Sequence, residues 1–232
     1  MKHLSFILYL LIQFHVISAQ PLQLNLALES GVSIPLFDFS GNRLQDGSFT
    51  MPGFTGSGGV TAIMKNRWEG FIQAGLQLLP VDVGALGQEK VAADPFLEDL
   101  YIRSEPFRVI HLLAGPGYQQ RIGHTFLLEG RLAAGVFFSA TPYQLYKAEY
   151  ALLGKTTFEI TSSRDVSFAW GADLQLIFEL SPCYQLGLTN RFMQSKASYD
   201  FISGAGLRTD IRNISLWDIS LSLIVKLFQV AG

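Results

Sequence analysis

The chain closes on ISLWDISLSLIVKLF, from Ile214 to Phe228. From Trp217 to Leu227 every second residue is apolar: Trp217, Ile219, Leu221, Leu223, Val225 and Leu227. Asp218, Ser220, Ser222, Ile224 and Lys226 alternate with them. A period of two over this length predicts a β-strand with one apolar and one mostly polar face. In a soluble protein the apolar face is the core. In an outer membrane it is the outer surface, so the fold turns on which face points out.

Seven earlier segments repeat the pattern. LQLNLALESGVSIP sets Leu22, Leu24, Leu26 and Leu28 against Gln23, Asn25, Ala27 and Glu29. GGVTAIMK, EGFIQAGLQLL, FLLEGRLAAGVFF, SFAWGADLQLIF and YQLGLTNRFMQ alternate in the same way. PFRVIHLLAGPGY is apolar on both parities, and Ile110, Leu112 and Ala114 are taken as its apolar row. Short turns are expected at Asn66-Arg67, around Arg121-Ile122-Gly123 and at Ser181-Pro182. The other connections, roughly 37–57, 80–104, 139–164 and 197–212, are long and rich in Gly, Ser, Asp and Pro. Short turns at one end and long loops at the other predict an all-β chain: an eight-stranded antiparallel up-and-down transmembrane β-barrel, with short periplasmic turns and long extracellular loops.

The polar faces decide the direction. A soluble barrel solvates its surface with charged residues, yet only 16% of the 232 residues are charged, and the polar rows hold mostly Gly, Ala, Ser, Thr, Gln and Asn. Such rows suit a crowded lumen. The charges expected inside are Glu29, Lys65, Glu129, Arg131, Asp173, Arg191, Asp218 and Lys226, four acids and four bases. Buried charges must pair. Asp173 and Arg191 are expected to meet diagonally across the Ser181-Pro182 hairpin, and Glu129 and Arg131 share a strand face. Trp68, Tyr118, Phe126, Phe178, Tyr184 and Phe228 fall where strands meet the short turns, as an interfacial aromatic girdle would.

The first residues read as an address. MKHLSFILYLLIQFHVISAQ has Lys2, an apolar run from Leu4 to Ile17 and small residues at Ser18 and Ala19. This predicts a secretory signal peptide over residues 1–19, cleaved after Ala19, with the barrel over 20–232. No later apolar run is long enough for a transmembrane helix. Cys183 is the lone cysteine, so no internal disulfide forms. The net charge of −2 offers nucleic acid no basic footprint.

The SAQ end of the leader, ESGVSIPLFDFSG (Glu29–Gly41), LLAGPGY (Leu112–Tyr118) and the closing amphipathic strand together resemble the outer membrane protein beta-barrel domain family, the small outer-membrane barrels widespread in Bacteroidota. The resemblance spans about residues 20–228. It implies an outer-membrane protein with no more specific activity. One position departs from it: Phe228 has lumen parity, whereas such barrels usually end on a membrane-facing aromatic.

Enzyme and cofactor motifs fail. Gly154-Lys155-Thr156 ends like a phosphate-binding loop, but the required earlier Gly is Glu149. His111 and His124 lack metal-ligand spacing, and nothing places acid, base and nucleophile together. Asn213-Ile214-Ser215 is a sequon by pattern alone. The expectation is a non-enzymatic bacterial outer-membrane protein without cofactor. Its partners would be outer-membrane lipid, the barrel-assembly machinery during insertion, and an extracellular ligand held by loops such as PVDVGALGQEKVAADPFLEDLY (Pro80–Tyr101). A narrow pore or transporter, a lipid-modifying enzyme and a soluble lipocalin-like binder are the alternatives.

Overall fold

The computed structural model describes residues 23–45, 47–64, 66–152, 154–203 and 206–229, with backbone only for 202, 203, 207, 228 and 229. Eight long strands form the wall: β1 (Gln23–Pro35), β2 (Gly53–Ile63), β3 (Trp68–Leu79), β5 (Phe107–Ile122), β6 (Phe126–Ala140), β9 (Arg164–Glu179), β10 (Tyr184–Ser203) and β11 (Gly206–Gln229). They close into one antiparallel barrel in which each pairs with its neighbours and β11 pairs with β1. Closure leaves no edge, so every strand finds partners for its backbone without water, as a bilayer requires.

Register fixes the shape. The row of paired residues that starts at Leu174 on β9 runs through Asn190, Ile219, Val32, Phe54, Leu78, Arg108 and Ala140, and returns to β9 at Arg164. The return is ten residues from the start, which is the barrel's shear. With roughly 3.3 Å per residue and roughly 4.8 Å between strands, ten over eight strands tilts them by about 40°.

The alternating rows point as the sequence predicts. Outside lie Leu28, Ile72, Leu112, Leu132, Leu174 and Leu221, all exposed, Leu221 to 71%. Inside lie Glu29, Gln73, His111, Arg131, Asp173 and Asp218, all buried. On a soluble protein an apolar surface of this extent would be an aggregation liability. Trp68 packs edge-on against Tyr118 at 5.6 Å, and Phe126 lies 5.3 Å from Phe178, both pairs beside the short turns. Phe54, Phe138, Phe168, Trp170 and Trp217 are exposed on the outward rows nearer the other end, a second aromatic band that flanks the aliphatic belt.

Three long connections differ from irregular loops. After β3 the chain forms α1 (Val83–Ala93) and β4 (Leu97–Ser104), and between β6 and β9 it forms β7 (Gln144–Tyr150) and β8 (Gly154–Ile160). β4, β7 and β8 make a separate three-stranded sheet. That sheet continues the wall in unbroken register. Arg108 pairs with Ala140, and four residues on Ser104 pairs with Gln144. Ala140 pairs with Arg164, and Gln144 with Ile160. The last of the expected long loops is strand as well, since β10 and β11 stay paired to Ser203 and Gly206. Among its described residues, the connection 36–52 carries a short 3-10 turn at Phe37–Ser40 and an isolated bridge from Thr50 to Val81.

The end of β11 also corrects an expectation. A bulge between Leu24 and Asn25 in the pairing skips Leu227, so Lys226 pairs with Asn25 and Phe228 with Leu24. Leu24 belongs to the outward row. The bulge therefore moves position 228 out of lumen register, and simple counting from Trp217 misses it.

Candidate functional site

The barrel lumen is filled in three layers. Towards the long-connection end, Leu79, Phe107, Val109, Phe137, Met193, Tyr199 and Leu216 form an apolar plug. Phe39, from the 3-10 turn after β1, drops into this mouth, fully buried, with its ring edge-on to Phe107 at 5.1 Å. Two phenylalanines, Phe37 and Phe49, hold positive φ angles of 55° and 52° on either side of it. Such backbone persists only where packing over-determines it. Phe39 anchors the segment in the lumen, and Phe49 anchors it in the core of the outer sheet.

The middle layer is charged and hydrogen-bonded. One row of paired positions reads Glu69, Gly117, Arg131, Asp173, Arg191 and Asp218, from β3 through β5, β6, β9 and β10 to β11. Charge alternates along it. Arg191 donates from Nε to Asp173 at 3.0 Å and from Nη2 to Glu29 at 2.9 Å. Glu29 also accepts from Ser57 and Gln73. Arg131 donates from Nε to Glu69 at 2.8 Å and from Nη2 to Thr61 at 3.1 Å, pairs with Glu129, and stacks over Phe71. Gln119 donates to Glu129 at 2.6 Å.

Gly117 makes the Glu69–Arg131 contact feasible. These partners sit two strands apart, and a Cβ on Gly117 would fall 2.4 Å from the Glu69 carboxylate and 2.9 Å from Arg131 Cγ. Gly187 does the same for Gln175, which reaches across it to Ser222 at 2.6 Å. Below, Ala27, Ile177 and Ile224 close the lumen, with Leu127 against them. At the short-turn rim Lys226 and Arg121 both donate to Glu179, at 2.9 and 3.0 Å. A cavity of about 10 Å³ between Glu29, Thr61, Phe71, Gln73 and Arg131 holds one water at most.

The extension has a core of its own. Asp82 caps α1 by accepting from the Ala85 amide at 2.9 Å. Leu86 of α1 packs with Phe49, Ile102 and Tyr146 against one face of the sheet. Tyr146 stacks on Phe158 at 4.7 Å, with Lys90 Nζ 5.1 Å over its ring. Burial lowers Lys90 from its ordinary value and pushes the Tyr146 hydroxyl up to about 12. β8 is the sheet's outer edge, exposed from Gly154 to Glu159.

No protein-family model matches the chain, and no curated protein matches it. Among solved structures it is similar to a major outer membrane protein from Thermus thermophilus, with 9% identity and a TM-score of 0.50 over 89% of this chain and 99% of that one. It is also similar to Neisserial surface protein A, with 10% identity and a TM-score of 0.47 over 89% and 97%. OprG from Pseudomonas aeruginosa matches with 11% identity and a TM-score of 0.46 over 90% and 97%. Likeness at such identity is likeness of fold, and the exposed apolar belt supplies the rest. The chain is an integral outer-membrane β-barrel.

Within this barrel the eight expected lumen charges are distributed unevenly. Asp173 and Arg191 are directly opposed on β9 and β10, not diagonal. Glu129 and Arg131 pair with each other, and Glu29 joins Arg191. Asp218 has neutral donors, Thr55 at 2.9 Å and Gln77 at 3.1 Å. Lys226 sits at the rim, and Lys65 lies outside the described residues. The expected balance of four and four does not describe the middle layer. There Glu29, Glu69, Glu129 and Asp173 share two guanidinium groups, neutral donors also serve Glu29 and Glu129, and Asp218 is held by neutral donors alone. Glu69 and Glu179 are the partners that the sequence reading lacked. Glu69 already had inward parity on β3, two residues before Phe71.

Proposed function

We propose that this barrel is a non-enzymatic surface protein whose wall is an anchor and whose extension is the binding part. The observation that carries this is the contrast between the two. The lumen is filled from the Phe39 plug to the Lys226–Glu179 rim, while three wall strands run on beyond the membrane into a packed sheet and helix. Binding surfaces are commonly carried on connections that a rigid scaffold positions. The proposal includes secretion with cleavage after Ala19, insertion by the barrel-assembly machinery, an extracellular ligand, and membership of the Bacteroidota group of small barrels that the sequence resembles.

The test is conductance. The purified chain in a planar lipid bilayer is expected to give no stable current steps. Reproducible open-channel steps would replace the anchor with a narrow pore. N-terminal sequencing of the exported protein should begin at Gln20, and a first residue within the leader would remove the cleavage part.

A further inference from the structure

We propose that two copies of the chain on facing membranes join through the free edges of β8, which pair antiparallel about Thr157. This deepens the surface-binding function proposed above by naming the partner, a second copy.

β8 is bound on one side by β7, and no described strand pairs with its other side. An unpaired edge presents a row of free N–H and C=O groups, and proteins usually blunt it with Pro, a bulge, a covering element, charged side chains or short length, of which β8 has only the charges Lys155 and Glu159 and its shortness. Gly154–Ile160 has no Pro, its pairing to β7 has no bulge, and its side chains are exposed up to Ile160. Its charges are placed symmetrically, with Lys155 two residues before Thr157 and Glu159 two residues after. In an antiparallel pair centred on Thr157, Lys155 of each copy lies opposite Glu159 of the other. On the other face Phe158 lies opposite Thr156. Opposite charges in directly opposed positions favour a register, and like charges disfavour it. Centring the pair on Thr156 or Phe158 brings neither lysine opposite a glutamate.

Topology fixes where such a pair can form. β8 continues the line of β9 out of the barrel wall, in register with β6 and β7. The strand therefore points away from the membrane. The two-fold axis of an antiparallel pair is perpendicular to the sheet, so it turns one copy's membrane to the opposite side. Two copies in one membrane cannot satisfy it, and two copies on facing membranes can. A seven-residue edge is weak alone, but many copies across a contact zone act together.

Charge reversal gives a direct test. The full chain is reconstituted in phosphatidylcholine vesicles with the extension outward, verified by protease accessibility. Vesicle clustering is followed by light scattering and by two-colour coincidence. Wild-type vesicles should cluster. Lys155→Glu vesicles and Glu159→Lys vesicles should each lose clustering, and a mixture of the two should regain it, since each variant then meets its complement. Both side chains are exposed, and heat-modifiable gel migration checks that both variants are folded. Wild-type vesicles that stay separate, single variants that cluster as wild type does, or a mixture that stays separate would each overturn the pairing. A non-conducting barrel that fails here leaves the anchor reading intact and removes only the homophilic partner.

Discussion

Arg191 is the side chain on which most of the lumen depends. It is 1% exposed and joins β9 to β1 through Asp173 and Glu29. Replacing it by Met leaves two buried carboxylates without a cation. Removing one member of a buried ion pair costs about 3–5 kcal/mol, so Arg191→Met should lower the urea midpoint of unfolding from vesicles by a corresponding amount. Adding Asp173→Asn and Glu29→Gln should recover much of the loss, because the uncompensated charges go with it. Gly117 predicts a second, steric effect. Gly117→Ala places a methyl against Glu69 and Arg131, and overpacking of this kind costs about 1–3 kcal/mol. The same substitution at the outward Gly130, where a Cβ meets nothing within 4 Å, should be near neutral in the same assay. Half of this network was legible in the sequence. Parity along a strand assigns Arg191 and Asp173 to the lumen, because parity is local. Their partners follow from register between strands, which parity does not contain. That is why the Glu69–Arg131 pair across an intervening glycine, and Glu179 as the partner of Lys226, emerged only from the fold.

Among elements, the segment between β1 and β2 ties the lumen to the extension. It plugs the lumen with Phe39 and clasps the extension with Phe49, which is 4% exposed. Phe39→Ala should cost about 3–5 kcal/mol, as buried Phe→Ala changes do, while leaving the barrel able to insert. Thermal loss of the fast-migrating folded band would report it. The extension should respond to alkali. The Tyr146 hydroxyl ionises at about 12 in the folded protein, against about 10 when free. The folded state holds that proton more tightly, so this contribution is whole below pH about 10 and falls as pH rises towards 12. Protease sensitivity of α1 and β7 should increase across that window, and an extension equally resistant at both ends would contradict it. The eight wall strands are readable from their alternation, whereas the composition of the outer strands predicts loops. Two causes are visible. Gly, Ser and Asp in 197–212 masked a continuing alternation of Ala197, Tyr199 and Phe201 on β10. Seven pairs hold β7 to β8 and seven hold it to β4, too short a run to stand out beside flanking turn residues.

At the scale of the molecule the question raised by Ile214–Phe228 is whether water or lipid covers the outer rows. Substitution by depth answers it on a single strand. Leu174 and Val166 both lie on the outward row of β9, 53% and 63% exposed. Leu174 is near mid-wall, and Val166 is two residues from Arg164, where β9 begins. In water both sites are exposed alike, and Arg would be tolerated equally at each. In a bilayer Arg costs roughly 2–4 kcal/mol at the midplane and roughly 0–1 kcal/mol near the interface. Leu174→Arg should therefore destabilise the folded barrel in vesicles far more than Val166→Arg, and Leu221→Arg on β11 should resemble Leu174→Arg. The wall itself supplies the reason for the gradient. Arg at 166 can extend its stem towards the headgroups beside Arg164, whereas Arg at 174 has a long stretch of tilted apolar wall on its way out. Equal costs at the two depths would mean that the apolar rows never meet lipid, and that the strand closing this barrel faces water after all.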